Sequence, residues 1–102
     1  MARMSPAPSE VWKATSRRFF VAVAALVDAG RLSSLSAFCD EHGLSAPRYR
    51  ALRLAYGLTP KEGYVCKYSG VEVEALAVLA SKYPVSASWL LTGRGRVLTL
   101  RP

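Results

Sequence analysis

Tyr83-Pro84-Val85-Ser86-Ala87-Ser88-Trp89-Leu90-Leu91-Thr92-Gly93-Arg94-Gly95 is the stretch on which the reading of the fold turns. Pro84 has no amide N–H and closes the helix before it. The Ser86 hydroxyl can accept an orphan N–H of the next turn, which makes it an N-cap. Trp89, Leu90 and Leu91 make that next helix, about 86–91, strongly apolar. Trp89 is expected in the core; Leu90 and Leu91 cannot then both face inward. Gly93 is placed to take the left-handed conformation that ends helices. The run describes the last helix of a small helical domain.

Four further helices precede it. Ser69-Gly70-Val71-Glu72 has the S-x-x-E spacing of a capping box and is expected to open the fourth, which runs to about Tyr83. Val73, Leu76, Leu79, Ala80 and Tyr83 are its candidate core residues. The third runs from a cap at Ser45 to about Tyr56, with Pro47 in its first turn, where a missing N–H does no harm. Tyr49, Leu52 and Tyr56 face inward at helical spacing and leave Arg48, Arg50 and Arg53 outside. The second, about 34–42, carries Leu35, Phe38, Cys39 and His42 on one stripe and breaks at Gly43. The first, about 16–29, buries Phe19, Phe20, Val23, Leu26 and Val27.

The fold class is therefore all-α, a five-helix domain over 16–95. Residues 1–15 read as a flexible arm in which Ser9 caps a first turn holding Glu10 and Trp12. Residues 96–102 read as a tail. Two weakly alternating segments, about 64–68 and 97–100, predict a short two-stranded β element.

Fourteen Lys and Arg stand against seven Asp and Glu, a formal charge of +7 in 102 residues. That balance favours a polyanionic partner, nucleic acid before an anionic membrane. Between Ser45 and Lys67 the cations Arg48, Arg50, Arg53, Lys61 and Lys67 face Glu62 alone. Cys39 and Cys66 are too few for a disulfide scaffold and suit a reducing cytoplasm. Cys39 and His42 form C-x-x-H, but four ligands are normally needed for zinc and only one further Cys and no further His exist. No metal or other cofactor is expected. Ser16-Arg17-Arg18-Phe19-Phe20 and the apolar run after it look like an export signal. The run is short, Asp28 closes it and no A-x-A site follows, so it reads as a core helix. It is also too short to cross a bilayer. No Ser/His/Asp set and no glycine-rich phosphate loop is present, so the chain does not read as an enzyme. No small-molecule ligand is evident.

The run Tyr83–Gly95 resembles the closing signature, vS-x-x-WLLtG-x-G, of the lambda-repressor-like (Xre-type) helix-turn-helix family. The segment from Leu35 to Leu52 resembles the helix-turn-helix itself. Cys39 stands at the small position where the two helices approach, Gly43 at the turn and Ser45 at the cap. Leu44, Tyr49 and Leu52 stand at the apolar positions that lock the second helix on the first. The resemblance spans about Phe19 to Gly95. It implies a sequence-specific DNA-binding transcriptional regulator, repressor-like and of bacterial or phage type, whose third helix enters the major groove of double-stranded DNA. In such a domain Ser45 meets a phosphate through the N–H groups it caps. Ala46, Pro47, Arg48, Arg50 and Ala51 reach base edges, with Arg50 best placed for a guanine. Arg53, Lys61 and Lys67 meet phosphates. A homodimer is expected, with the fifth helix or Val97-Leu98-Thr99-Leu100 at its interface. The alternative is the same fold used as a protein-interaction module that does not bind DNA. RNA binding ranks below both, because no aromatic stacking platform is visible.

Overall fold

Serine hydroxyls open four of the five helices, each accepting the N–H three residues on. Ser9, Ser34, Ser45 and Ser86 do so at 3.0, 3.0, 3.3 and 3.1 Å. The computed structural model describes residues 9–99. Its elements are α1 (Glu10–Asp28), α2 (Leu35–Glu41), α3 (Ala46–Tyr56), α4 (Val73–Lys82) and α5 (Ala87–Thr92). The all-α, five-helix expectation holds. Gly93 takes the left-handed cap of α5, φ +77°.

α1 begins six residues earlier than the spacing predicts. Residues 10–15, expected in the arm, are helical. Tertiary contacts reward the extra turns: Thr15 is buried, and the Trp12 indole N–H donates to the Val71 carbonyl at 3.2 Å. Residues 1–8 of the expected arm lie outside the described residues. The Ser16–Phe20 segment belongs to the interior of this helix, with Ser16, Phe19 and Phe20 buried. Among the described residues no helix is long and apolar enough to cross a membrane.

The core gathers on Phe19. Its ring meets Phe20, Phe38 of α2 and Tyr49 of α3 at centroid distances of 5.0, 5.8 and 5.7 Å. Leu26, Cys39, Leu52, Ala75 and Leu79 are among the other fully buried residues of this layer. Burial, with the Asp40 carboxylate second, pushes the Cys39 thiol up from its ordinary pKa, as befits a small core residue.

Further local expectations fail; among them Val27, expected in the core, is 38% exposed. Ser69 does not cap α4. Glu72 holds the cap position and makes no side-chain cap bond. Its carboxylate instead accepts the Tyr49 hydroxyl at 2.9 Å. The buried Ser16 hydroxyl accepts the Val71 N–H at 3.0 Å, pressing the loop onto α1. A Cβ at Gly70 would lie 2.6 Å from Trp12 Nε1 and 2.9 Å from Ser16 Oγ, so this close approach requires glycine. Val73, counted for the core, is 75% exposed, because α4 starts later and turns Ala75 inward.

The β element is not formed as expected. Among the described residues no strand appears over 64–68, where the Tyr68 N–H is used locally by Cys66 Sγ at 3.4 Å. Val97–Thr99 instead lie beside 84–86. Ser86 N–H donates to Val97 O at 3.0 Å and Thr99 N–H to Pro84 O at 2.8 Å, around an isolated antiparallel bridge from Val85 to Leu98. Leu100 lies outside the described residues.

The last correction concerns α5. Leu90, not Trp89, is its buried residue; Trp89 is half-buried and Leu91 is 58% exposed. Arg18 ties the end of α5 to α1 by donating from Nε to Leu90 O at 2.7 Å and from Nη2 to Leu91 O at 3.1 Å. Leu90→Ala is expected to cost about 2–5 kcal/mol, and Trp89→Ala less than the 3–5 kcal/mol typical of a core aromatic. Denaturant unfolding of the two variants checks the order, and a larger loss at Trp89 would contradict this orientation of α5.

Candidate nucleic-acid interface

α2 and α3 are joined by His42 to Ser45. Gly43 in this turn has φ +69°, a conformation that side chains other than glycine rarely adopt. Leu44 N–H donates to Cys39 O at 2.8 Å, closing the turn on the end of α2. His42 is packed against Phe38, with ring centroids 5.0 Å apart. The Tyr83 hydroxyl donates to Glu41 at 3.2 Å and lies 2.9 Å from His42 Nε2, tying the end of α2 to the end of α4. Burial, then the Glu41 hydrogen bond, raises the Tyr83 phenol above its ordinary pKa.

α3 presents its expected residues unequally. Tyr49 and Leu52 are buried, which fixes the inward side of the helix. With about 100° per residue, Pro47, Arg50, Ala51 and Leu54 fall opposite. Pro47, Arg50 and Leu54 are exposed and Ala51 is half-buried. Ser45 is exposed at the head of the helix, its hydroxyl occupied by Arg48 N–H. Ala46 is not on the outward face; it packs against the core.

The remaining cations divide between the two flanks. Arg53 lies on the α1 side, at the rim of an open hollow of about 460 Å³ floored by Phe20, Val23 and Leu35. The exposed Leu54 and Leu58 border that hollow, which the sequence does not announce. Lys61 is exposed, and its N–H donates to Leu54 O at 2.7 Å, folding the loop back on the end of α3. Arg48 lies on the opposite flank. Its guanidinium carbon is 4.7 Å from the Tyr68 ring centroid, and Lys67 Nζ is 5.3 Å from the same centroid.

Arg48 therefore does not stand free on the outward face as expected. Its Nε is 4.0 Å from Glu72 Oε1, a pairing hidden in the sequence by the distance between positions 48 and 72. Burial, then the Glu72 hydrogen bond, pushes the Tyr49 phenol far above its ordinary pKa, so Tyr49 remains a proton donor to that carboxylate. Tyr68 and Glu72 are the site residues that sequence reasoning missed. The aromatic-basic pair Lys67-Tyr68 was the one available signal.

Arg50 is thus the exposed cation nearest the middle of the outward face of α3. Among the described residues, no group of three His, Cys, Asp or Glu side chains is arranged to hold a metal ion. No protein-family model, curated protein or solved structure matches the chain.

Proposed function

We propose that the chain is a sequence-specific duplex-DNA-binding regulator, repressor-like in the manner of the bacterial and phage domains its sequence resembles, with α3 lying in the major groove. The observation that carries this reading is the outward side of α3. The helix holds three arginines and no acidic residue, and it exposes Arg50 between the small or apolar Pro47, Ala51 and Leu54. An arginine can meet guanine O6 and N7 through two hydrogen bonds, and small apolar neighbours admit the helix to the groove and meet thymine methyls. Arg53, Lys61 and Lys67 around it supply phosphate contacts. A cytoplasmic site of action goes with this function.

A second feature supports assembly. Val73, Leu76, Ala77, Ala80, Ala87 and Leu91 line an open groove of about 230 Å³ between α4 and α5, without a charged side chain. On a chain of charge +7 such a surface favours apolar contact, and we propose that it pairs two copies into a homodimer. The tail suits this role less than expected, because Val97–Thr99 are already bonded to 84–86. The same groove favours the alternative reading, an interaction module without DNA, and duplex binding decides between them.

The deciding experiment is salt-titrated binding to random duplex DNA, followed by selection of enriched sites. Log K is expected to fall by about 0.9 per phosphate contact for each log unit of salt. Absence of binding at low salt would remove the DNA reading. Arg50→Ala is expected to lose about 1–3 kcal/mol of discrimination on the selected site, whereas Lys61→Ala weakens all sequences alike. Sedimentation at high micromolar concentration is expected to show a dimer that Leu91→Asp dissociates without unfolding. A wild-type monomer, free and on DNA, would rule out the dimer alone.

A further inference from the structure

Arg48 is restrained on several sides. Its guanidinium lies over Tyr68, its Nε faces Glu72, and that Nε is sealed from solvent with no hydrogen-bond partner among the described residues. The side chain as a whole is nevertheless 35% exposed, and its terminal nitrogens are not among the sealed atoms. An arginine normally gives up much rotamer freedom when it binds an anion. Here the ring and the carboxylate have already removed it, and the outer edge remains available. Lys67 is exposed and held to the same ring. Glu72 faces Arg48, and Lys67 adds a second cation on the ring, so the cluster retains positive charge.

We propose that Arg48 and Lys67, pinned to the ring of Tyr68, form a clamp for the phosphodiester backbone of duplex DNA, and that Arg48 does not read bases. The inference rests on the DNA reading above and assigns its backbone anchor. Arg48 leaves α3 on the flank rather than on the outward side with Arg50. Its nearest cationic neighbour on the ring is a lysine, a point charge suited to phosphate rather than to the paired acceptors of a base. Tyr68 is a positioning residue. With its ring engaged by cations, it serves to hold them rather than to stack an unpaired base.

The test uses the full chain, with binding to a selected duplex and to random duplexes measured across a salt series. Arg48→Ala is expected to weaken every duplex by the same factor, about eightfold at 0.1 M salt, and to flatten the log–log slope by about 0.9, the signature of one lost phosphate contact. Arg48→Lys keeps the charge and is expected to retain most of the slope and the whole sequence preference. Tyr68→Leu should imitate Arg48→Ala in direction, while Tyr68→Phe, which keeps the ring, restores wild-type binding. Circular dichroism at the assay temperature shows that each variant is folded. A change in the selected sequence with Arg48→Ala or Arg48→Lys would make Arg48 a base reader and overturn the clamp, as would an unchanged salt slope. Equal losses with Tyr68→Leu and Tyr68→Phe would remove the positioning role. A wild-type chain that binds duplex while Arg48→Ala behaves identically defeats only the clamp; a wild-type chain that binds no duplex defeats both readings.

Discussion

Phe19 sits where three helices meet, and through its ring α1 holds both members of the candidate interface. Its contacts with Phe38 and Tyr49 set α2 and α3 on one side of α1. Aromatic pairs at these separations add specific edge and tilt preferences to the burial of area. The consequence reaches the far side of α3. Once Tyr49 and Leu52 are held inward, the helical period alone turns Pro47, Arg50 and Leu54 to solvent. The small side chain of Cys39 lies in the same buried layer, and Gly43 lets the chain reverse without strain.

A second set of constraints is polar and also radiates from α1. Trp12, Ser16 and Arg18 bind the backbone of Val71, Leu90 and Leu91. Backbone groups at helix ends and in loops need partners, and each unmade bond in a buried setting costs about 1–3 kcal/mol. One helix therefore acts as a template for a loop and for a helix of six residues that has little intrinsic stability of its own. The loop so placed brings Tyr68 and Glu72 to Arg48. The charge pattern around α3 is thus a product of the packing of residues far from it in sequence.

The two flanks of α3 differ in their surroundings. On one side Arg53 borders an apolar hollow; on the other Arg48 is stacked and paired. Arg50 lies between them without either restraint. A division of labour between orientation and readout follows naturally if the partner is a duplex, since backbone contacts fix register and base-edge contacts carry sequence. The Tyr83 link to Glu41 and His42 joins the end of α2 to the end of α4.

Much of the fold is legible in the sequence. The caps at Ser9, Ser45 and Ser86, the inward stripes of α2 and α3, and the glycine ends of α2 and α5 depend on interactions within a few residues, and local order along the chain specifies them; for α2 the sequence leaves Ser33 and Ser34 open, and Ser34 is the cap. What stayed hidden had a distant partner. Ser69-Gly70-Val71-Glu72 has the spacing of a cap, but Tyr49 takes the carboxylate and Ser16 takes the Val71 amide. Residues 97–100 read as a strand, but the neighbour of Val97–Leu98 is the segment before α5 rather than 64–68. Which of Trp89, Leu90 and Leu91 is buried depends on how α5 seats on the core, and there Arg18, 72 residues before Leu90, binds its backbone. The sequence by itself determined an all-α chain of five helices with a basic third helix. Only the tertiary structure decided which of its arginines stands free and which is committed, because the competitors for each polar group are brought together by packing and not by spacing.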